Sequence, residues 1–273
     1  MTTIDPTARV AEGARIGAEA SIGPYCIIGP DVEIGEGCRL VANVHVTGHT
    51  RIGAGTVVYP FASLGTPPQS VKYRGGPTRL VIGQKCEIRE AVTVNTGTED
   101  DRGVTEIGDR CFLMAGSHVA HDCKVGNDVT FANNAVIGGH VVVGSNTFLG
   151  GQAAVRQFVR IGEGAMIVGM SGVRADIIPW GMAQGPLASL VGINVVGLRR
   201  RGFAKADILR FREAYRALFL GGGLFRERLA EAEGRCANDP NPLVSAVLAF
   251  IRSGTRPLAN AIRRTSAGAE QEA

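Results

Sequence analysis

The sequence has few aromatic residues and no closely spaced cysteine pair, and both shortages restrict the kind of core it can build. Aromatic residues make up 5% of the 273 residues, although hydrophobic residues make up 45%. Such a composition favours a narrow core of stacked aliphatic side chains, which has little room for rings. The six cysteines form no Cys-x-x-Cys pair, so we expect reduced thiols that pack as small hydrophobic groups.

Membrane-spanning and nucleotide-binding patterns are absent as well. The N-terminal stretch Met1–Thr7 is polar, and no apolar run reaches the length needed to cross a bilayer. We therefore expect a cytoplasmic protein with no integral membrane segment. The sequence contains no P-loop, no nucleophile elbow and no dinucleotide fingerprint, and we name no cofactor. Basic patches interleaved with aromatic residues are missing too, so we expect no nucleic-acid partner.

The sequence does contain one aliphatic residue at every sixth position, in three phased blocks. These blocks run over Ile4–Leu64, Ile82–Val94 and Ile107–Val173. A period of six fits neither the helical period of 3.6 nor the simple alternation of a strand. It is typical of a solenoid with three flat sides and about 18 residues per turn. We therefore predict an all-β parallel β-helix over residues 1–190, in which each repeated aliphatic side chain points inward.

Glycine follows the repeated aliphatic residue in many units, as in Ile16-Gly17, Ile22-Gly23 and Ile107-Gly108. Each corner of a triangular coil needs a sharp bend. We attribute these glycines to corner conformations that a Cβ atom would forbid.

Two segments interrupt the repeat. Residues 65–80 contain three prolines and three glycines, which exclude a helix or a regular strand. Long loops in compact domains are usually functional, so we expect an ejected loop with a functional role. Residues 95–106 form a second ejected loop that is polar and acidic, and for this segment we favour a solvated bulge.

The C-terminal part of the chain changes to a helical pattern. The segment from Val173 to Leu198 shows no regular period, and a small helical domain is predicted over residues 191–273. This domain covers one open end of the solenoid, and its tail is expected to be frayed from Ala259. Apolar spacing and turn residues predict three helices, at Ala204–Leu220, Leu224–Glu233 and Leu243–Arg252.

Charge is unevenly distributed along the chain. Residues 199–273 hold 14 basic and 8 acidic residues, a net charge of +6, whereas residues 1–198 have a net charge of −2. Two interpretations stay open. The basic region is either an ordinary solvated helical surface or a docking face for an acidic partner or for phosphates.

Three histidines and an aspartate form the cluster that best fits catalysis. Because positions 18 residues apart stack in such a coil, Gly139 is expected one coil above His121 on the same side. His140 then lies beside Gly139, while His118 and His121 flank one corner. Asp122 follows His121 directly, so we predict that the cluster converges on one edge of the solenoid.

Three hypotheses for this cluster stay open. In the first, His121 is a general base, Asp122 orients its ring, and the Gly139 N–H stabilises an oxyanion, which suits acyl transfer from a thioester. In the second, the histidines bind Zn²⁺ in a metal-dependent hydratase like the hexapeptide-repeat carbonic anhydrases, although those enzymes space their ligands differently. In the third, they are satisfied surface histidines of a non-enzymatic solenoid scaffold.

Six segments of the chain carry a resemblance to one known family. They are Lys72–Arg79, His118–Asn127, Phe131–Asn134, Gly138–His140, Ala183–Gly185 and Gly192–Phe203. In these segments the chain resembles the UDP-N-acetylglucosamine O-acyltransferases, which begin lipid A synthesis in Gram-negative bacteria. The resemblance covers nearly the whole chain and implies a left-handed coil.

The resemblance also implies a reaction and an assembly. A 3-hydroxyacyl chain is expected to pass from acyl carrier protein to position 3 of the glucosamine of UDP-N-acetylglucosamine. The active sites are expected in clefts between neighbouring solenoids of a homotrimer. The catalytic residues implied by the resemblance are His121 as base, Asp122 as its orienting partner and Gly139 as oxyanion donor.

The same resemblance implies three groups of substrate-binding residues. The sugar and acyl site is lined by Gln69, Ser70, Lys72, His118, His140, Arg156 and Gln157. The uridine diphosphate is held by Asn194, Arg200 and Arg201, for which a guanidinium fork is well suited. The acyl groove is lined by Met166 and Gly169, and because Gly169 leaves the groove open we expect a chain longer than ten carbons.

Three positions depart from the pattern of the family. Ser70 replaces the usual Asp beside the sugar, Arg156 replaces a common His, and Val196 replaces a Glu that contacts the nucleotide. Ser70 can donate as well as accept a hydrogen bond, which weakens one reason for preferring a hydroxyl acceptor. We therefore expect the 3-amino analogue of the sugar to be used at least as well as UDP-N-acetylglucosamine.

Overall fold

The computed structural model describes residues 1–262, and in it the chain winds through successive triangular coils. Strands at equivalent positions of successive coils pair in parallel, which produces three flat sheets along the solenoid. In uninterrupted coils the partners are 18 residues apart, as in the pairs His118 with Val136 and Val119 with Ile137. The predicted left-handed parallel β-helix with a small C-terminal helical part is confirmed.

Each coil contributes one short strand to each sheet in turn. Sheet 1 contains β1 (Thr3–Ile4), β4 (Ser21–Ile22), β7 (Arg39–Leu40), β10 (Val57–Val58), β13 (Glu87–Ile88), β16 (Phe112–Leu113), β19 (Thr130–Phe131), β22 (Phe148–Leu149), β25 (Met166–Ile167), β27 (Gly181–Gln184) and β28 (Ser189–Ile193). Sheet 2 contains β2 (Arg9–Val10), β5 (Ile27–Ile28), β8 (His45–Val46), β11 (Ser63–Thr66), β14 (Thr93–Asn95), β17 (His118–Val119), β20 (Val136–Ile137), β23 (Ala154–Val155) and β26 (Gly172–Val173). Sheet 3 contains β3 (Arg15–Ile16), β6 (Glu33–Ile34), β9 (His49–Ile52), β12 (Arg79–Ile82), β15 (Val104–Ile107), β18 (Lys124–Val125), β21 (Val142–Val143) and β24 (Arg160–Ile161).

Four helices follow the solenoid. They are α1 (Val195–Arg200), α2 (Lys205–Leu220), α3 (Phe225–Asn238) and α4 (Pro242–Arg252). The three predicted helices are confirmed as α2, α3 and α4, although α3 continues to Asn238 rather than ending at Glu233. Within residues 1–262 no helix combines the length and the apolar character needed to span a membrane.

The segment predicted to be irregular contains regular structure. Strands β27 and β28 pair antiparallel and extend sheet 1, and helix α1 begins after Asn194, whose side chain accepts a hydrogen bond from the Gly197 N–H. These elements lack the six-residue repeat, and α1 is too short to show a helical period. Because β28 crosses the boundary expected at residue 190, the division into domains 1–190 and 191–273 stays a prediction.

The core is a column of the repeated aliphatic side chains. All of these positions from Ile22 to Val173 are buried, as the six-residue period predicts. The exceptions are Ile4, Val10 and Ile16, which belong to the first coil and therefore have no coil on one side. Within the described residues the six cysteines are free, and five of them are buried in this column.

The glycines that follow the aliphatic residues have a different cause from the one expected. Gly23 and Gly35 do not have positive φ angles. A Cβ atom on Gly23 would instead lie 1.9 Å from the Val41 carbonyl oxygen, and one on Gly35 would lie 2.7 Å from the Ala54 nitrogen. Close approach to the next coil therefore selects glycine, while non-glycine residues such as Tyr25 adopt the left-handed corner conformation.

The chain after α4 returns to the end of the solenoid. Leu258 bridges Asp176, Ala259 is buried, and the Ile262 N–H donates to the Leu190 carbonyl. The expectation that the tail is frayed from Ala259 is therefore wrong for residues 259–262. The remaining residues of the predicted tail, 263–273, lie outside the described residues.

One edge of the solenoid collects the predicted functional segments. Every connection from sheet 2 to sheet 3 runs over this edge, which we call the histidine edge. The first loop (67–78) leaves it between β11 and β12, and the second loop (96–103) leaves it one coil later, between β14 and β15. The turns 120–123, 138–141 and 156–159 follow on the next three coils.

A pair of adjacent isoleucines tests the stacked core. Ile28 is 1% exposed, whereas its neighbour Ile27 is 49% exposed in the same strand. We expect Ile28→Ala to lower the free energy of unfolding by about 2–5 kcal/mol, because it leaves a cavity in the column. Ile27→Ala is the matched control and should change the stability by about 0.5 kcal/mol or less.

Thermal denaturation of both variants measures the difference. A clearly lower midpoint for Ile28→Ala alone is the expected result. Equal shifts for the two variants would contradict an inward column of aliphatic residues.

Candidate active site

His121 and Asp122 form a hydrogen-bonded pair on the histidine edge. The His121 Nδ1 atom lies 2.9 Å from the Asp122 Oδ2 atom, and the Asp122 side chain is fully buried. An ionised carboxylate can only accept hydrogen bonds, so Nδ1 carries the hydrogen and Nε2 keeps a lone pair. The pair therefore presents a histidine that can take up a proton at Nε2.

The second loop fixes the carboxylate of Asp122. The Thr98 N–H lies 3.0 Å from both carboxylate oxygens, and the Thr98 hydroxyl donates to Oδ2 at 2.6 Å. The Asp122 N–H in turn donates to the Thr105 hydroxyl at 2.9 Å. Residues 95–98 are buried. The interpretation of this segment as a solvated bulge is therefore wrong here and holds only for the exposed residues 99–102.

Gly139 lies directly against the His121 ring, one coil further along the edge. A Cβ atom at this position would fall 2.5 Å from Cε1 and 2.7 Å from Nε2 of His121, so only glycine leaves the ring in place. The Gly139 carbonyl accepts a hydrogen bond from the Phe158 N–H, whereas its own N–H donates to no acceptor among residues 1–262. This N–H can therefore donate a hydrogen bond to a negatively charged oxygen beside the His121 ring.

His140 completes the cluster. Its ring packs edge-on against the His121 ring, with centroids 4.9 Å apart, and stacks on the Phe158 ring at 4.3 Å. Its Nδ1 atom lies 2.5 Å from Asp101 Oδ2 but 4.0 Å from Asp122 Oδ2. His140 therefore donates its Nδ1 hydrogen to Asp101, and of the two histidines only His121 donates to Asp122.

His118 lies on the flat face of sheet 2, just before the turn that holds His121. Its Nδ1 atom pairs with the Thr93 hydroxyl at 2.7 Å. Burial lowers the pKa of His118 below its usual value, and the neighbouring charge of His121 acts in the same direction. His118 is thus favoured as a neutral ring that can exchange hydrogen bonds with a substrate.

The donor atoms of His121, Asp122 and His140 lie within 4.8 Å of one another, which is close enough to surround a metal ion. However, Asp122 already accepts from Thr98 and from His121, and His140 Nδ1 already donates to Asp101. The arrangement therefore suits proton transfer better than metal binding.

Two of the other predicted residues lie on the next turn of the edge. Arg156 and Gln157 are exposed, and Gln157 occupies the position one coil beyond Gly139. Their side chains are therefore available on the histidine edge.

The first loop presents Gln69, Ser70 and Lys72 on the same edge. Gln69 and Lys72 are exposed, and Ser70 is partly exposed. The Ser70 hydroxyl oxygen accepts from the Lys72 N–H at 3.3 Å, which leaves the hydroxyl hydrogen free to donate. Glu99 of the second loop accepts from the Gly76 N–H at 2.6 Å, so the two loops are joined.

Met166 and Gly169 do not lie on the histidine edge of the same chain. Met166 belongs to strand β25 of sheet 1, and Gly169 lies in the turn from sheet 1 to sheet 2. Within one chain, the predicted acyl-groove residues therefore lie apart from the His121–Asp122 pair.

The predicted nucleotide residues lie near a third edge, between sheets 3 and 1. The pKa of the Asp128 carboxyl on this edge is lowered, chiefly by its hydrogen bonds with Arg110 and also by the charge of Arg201. Arg200 and Arg201 are exposed. Asn194 uses its amide to cap α1 and to donate to the Gly164 carbonyl at 2.9 Å, so its expected contact with the nucleotide stays a prediction.

Sequence reasoning missed Thr98, Asp101 and Phe158. The only available signal was that both interruptions occur after the sheet 2 position of consecutive coils, directly before the turn that holds His121. Two loops that leave the same edge of a solenoid can reach the same site. A polar segment considered by itself does not indicate which site it contacts.

Comparisons with known proteins agree with this geometry. Residues 176–259 match the family described as Udp N-acetylglucosamine O-acyltransferase, domain 2. Residues 13–48 and 105–139 match the family of bacterial transferase hexapeptide repeats.

Individual relatives cover nearly the whole chain. Proteins named acyl-[acyl-carrier-protein]--UDP-N-acetylglucosamine O-acyltransferase from Azorhizobium caulinodans and Rhizobium johnstonii are 58% and 47% identical, over 93% and 83% of this chain and 93% and 84% of their own lengths. The structure of the UDP-N-acetylglucosamine acyltransferase from Campylobacter jejuni superimposes with a TM-score of 0.89 at 36% identity, over 95% of this chain and 100% of that one. The chain therefore belongs to the UDP-N-acetylglucosamine O-acyltransferase family.

Proposed function

We propose that this protein transfers a 3-hydroxyacyl chain from acyl carrier protein to position 3 of the glucosamine of UDP-N-acetylglucosamine, or of its 3-amino analogue. This reaction is the first step of lipid A biosynthesis. The observation that carries the proposal is the His121–Asp122 pair beside the Gly139 N–H, which has no acceptor among residues 1–262. The names of the relatives support the same acyl donor and sugar nucleotide. The hydratase and scaffold hypotheses are not favoured.

In the proposed mechanism His121 acts as the general base. Its Nε2 atom takes the proton from the acceptor as the acceptor attacks the thioester carbonyl carbon. The Gly139 N–H stabilises the oxyanion that forms on the carbonyl oxygen, and Asp122 stabilises the charged imidazole. The carbon–sulfur bond then breaks, and His121 returns the proton to the leaving thiolate of the carrier. The chemistry requires no covalent enzyme intermediate.

The proposed active site includes parts of two chains of a homotrimer. The base lies on the histidine edge, whereas the acyl-groove residues lie in sheet 1 and in the turn that follows it. Asn194, which precedes the helix that carries Arg200, donates to the Gly164 carbonyl on the edge between sheets 3 and 1. A single straight solenoid cannot bring its own edges together. Three solenoids packed side by side can place the edge of one chain against a different edge of its neighbour. We further propose that the trimer acts in the cytoplasm.

The proposed docking site for acyl carrier protein is the basic C-terminal region. Arg212 and Arg216 are exposed on α2, whereas Arg210 already pairs with Asp207 and Asp239. The attraction to an acidic carrier is therefore assigned to the first two arginines. Charges of this kind guide association and are screened by salt.

The proposal assigns the choice of acceptor atom to Ser70 and the acyl length to Gly169. At position 70 the hydroxyl hydrogen of Ser70 is free to donate, so we propose that the 3-amino sugar is used at least as well as the 3-hydroxy sugar. The expected acyl length of more than ten carbons rests on Gly169, which is exposed and adds no side chain to the groove.

The base assignment predicts the behaviour of His121→Ala. We expect turnover to fall by about 10²–10⁴, the usual contribution of a general base, while the oligomer stays intact. The assay incubates purified protein with 3-hydroxyacyl carrier protein and each UDP-sugar, and the product is identified by its mass. His49→Ala serves as the control, because His49 lies on sheet 3 beside Asp31. Retention of more than about a tenth of the activity by His121→Ala would show that the role is misassigned.

The docking assignment predicts a selective change in KM. The double variant Arg212→Glu and Arg216→Glu should raise the KM for the carrier thioester at least severalfold at low salt, because it repels an acidic carrier. The KM for the UDP-sugar should stay unchanged.

A control variant with the same change in charge distinguishes a loss of docking from a general effect of net charge on KM. Arg9 and Arg39 are exposed near the opposite end of the solenoid, and Arg9→Glu with Arg39→Glu should leave both KM values unchanged. If the α2 variant also leaves the carrier KM unchanged at every salt concentration, docking at this face is excluded.

The acceptor assignment predicts a shift in sugar preference. Wild-type protein should use the 3-amino sugar with a kcat/KM at least equal to that for UDP-N-acetylglucosamine, and Ser70→Asp should shift the ratio toward the hydroxyl sugar. The measurement compares both sugars with one acyl donor. A wild-type preference for the hydroxyl sugar above about tenfold, or about 1.4 kcal/mol in the transition state, would disprove this proposal.

A further inference from the structure

The catalytic carboxylate depends on one residue of the second loop. Thr98 donates to Asp122 through its N–H, which is 3.0 Å from each carboxylate oxygen, and through its hydroxyl at 2.6 Å. Both residues are buried, with exposures of 6% and 2%. Among residues 1–262, the side chain of Asp122 accepts its other hydrogen bond from His121.

The carboxylate has a second imidazole within reach. His140 Nδ1 is 4.0 Å from Asp122 Oδ2, and a modest rotation of an unrestrained carboxylate would bring the two into contact. A carboxylate that turns toward His140 no longer holds the Nδ1 hydrogen of His121. The His121 ring could then carry its hydrogen on Nε2, which is the atom that must accept a proton.

The second loop prevents this rotation from both sides. Thr98 holds the carboxylate itself, and Asp101 occupies His140 Nδ1 at 2.5 Å. Both residues belong to the segment that sequence analysis interpreted as a solvated bulge.

We propose that Thr98 is a positioning residue for acyl transfer. Its hydroxyl and N–H keep the Asp122 carboxylate directed at His121 Nδ1, so that His121 presents Nε2 as the base. Hydrogen bonds from Thr98 also stabilise the negative charge of a carboxylate that has no access to water. This inference rests on the proposed function, since its kinetic consequence requires that His121 act on the substrate.

We expect the loop to stay anchored when the Thr98 hydroxyl is removed. Glu99 accepts backbone hydrogen bonds from Gly76 and Arg74 in the first loop, and the Thr78 hydroxyl donates to the Thr96 hydroxyl at 2.9 Å. The Thr98 N–H also stays in place in a valine variant. A change at Thr98 can therefore be examined in a folded loop.

Three variants test the proposal. Thr98→Val keeps the shape and removes the hydroxyl, Thr98→Ser keeps the hydroxyl, and Thr96→Val removes a buried hydroxyl of the same loop that does not touch Asp122. We expect Thr98→Val to lower kcat about tenfold, as for the loss of one hydrogen bond to a charged group. The KM for the UDP-sugar should change less than about twofold. Thr98→Ser and Thr96→Val should retain wild-type kcat.

Two kinetic outcomes would overturn the proposal. One is a wild-type kcat for Thr98→Val. The other is an equal loss of kcat in Thr98→Val and Thr96→Val, which would show that any loosening of the loop has the same effect.

A spectroscopic measurement separates this inference from the proposed function. Nitrogen NMR of histidine-labelled protein reports which ring nitrogen of His121 carries the hydrogen. We expect Nδ1–H in the wild type and in Thr98→Ser, and a larger share of Nε2–H in Thr98→Val. Should the wild type transfer no acyl group, the proposed function fails, and the tautomer still decides the role of Thr98. An identical tautomer in all variants would overturn that role.

Discussion

The hydrogen bond between one coil and the next is the interaction on which the rest of the structure depends. The His140 N–H donates to the His121 carbonyl at 2.9 Å, and the Phe158 N–H donates to the Gly139 carbonyl at 3.0 Å. Such bonds repeat along every edge and hold successive coils at the spacing of neighbouring strands, about 4.8 Å. They fix which residue of one coil lies over which residue of the next, so a rigid site can be assembled from residues that are distant in sequence.

The same spacing explains the choice of residues at the candidate site. The His121 ring fits against the next coil only because Gly139 has no Cβ atom. The rigid edge supplies the proposed base and the proposed oxyanion donor, but it does not supply every contact that the carboxylate of Asp122 needs. The second loop provides those contacts through Thr98, and Glu99 joins this loop to the first one. The two interruptions of the repeat thus support one candidate site, in which the second loop holds the carboxylate of the His121–Asp122 pair.

The period of the sequence predicted the fold because each coil repeats the same inward position. It also placed Gly139 over His121, since a constant offset of 18 residues leaves no freedom. It could not predict the contacts of Thr98 or Asp101, because a loop outside the repeat has no register that relates it to the next coil. The cause of the corner glycines was also misjudged. The sequence shows where glycine occurs, whereas only the structure shows that the next coil, rather than the φ angle, excludes a side chain at Gly23.

The proposed functional residues lie in three separate parts of one chain. The His121–Asp122 pair lies on the histidine edge, and Met166 and Gly169 lie toward the edge between sheets 1 and 2. Asn194, which precedes the helix that carries Arg200, donates to the Gly164 carbonyl on the edge between sheets 3 and 1. In the proposed homotrimer, a complete site would therefore combine the edges of two chains.

The most direct measurement is the activity of mixed oligomers. One chain type carries His121→Ala, and the other carries Arg200→Ala with Arg201→Ala. The two types are co-expressed with different tags, and trimers that contain both are isolated. If each site combines the base of one chain with the arginines of its neighbour, one site in each mixed trimer is intact, and activity should return to about one third of the wild-type value. Mixed trimers no more active than either variant alone would contradict a site shared between chains.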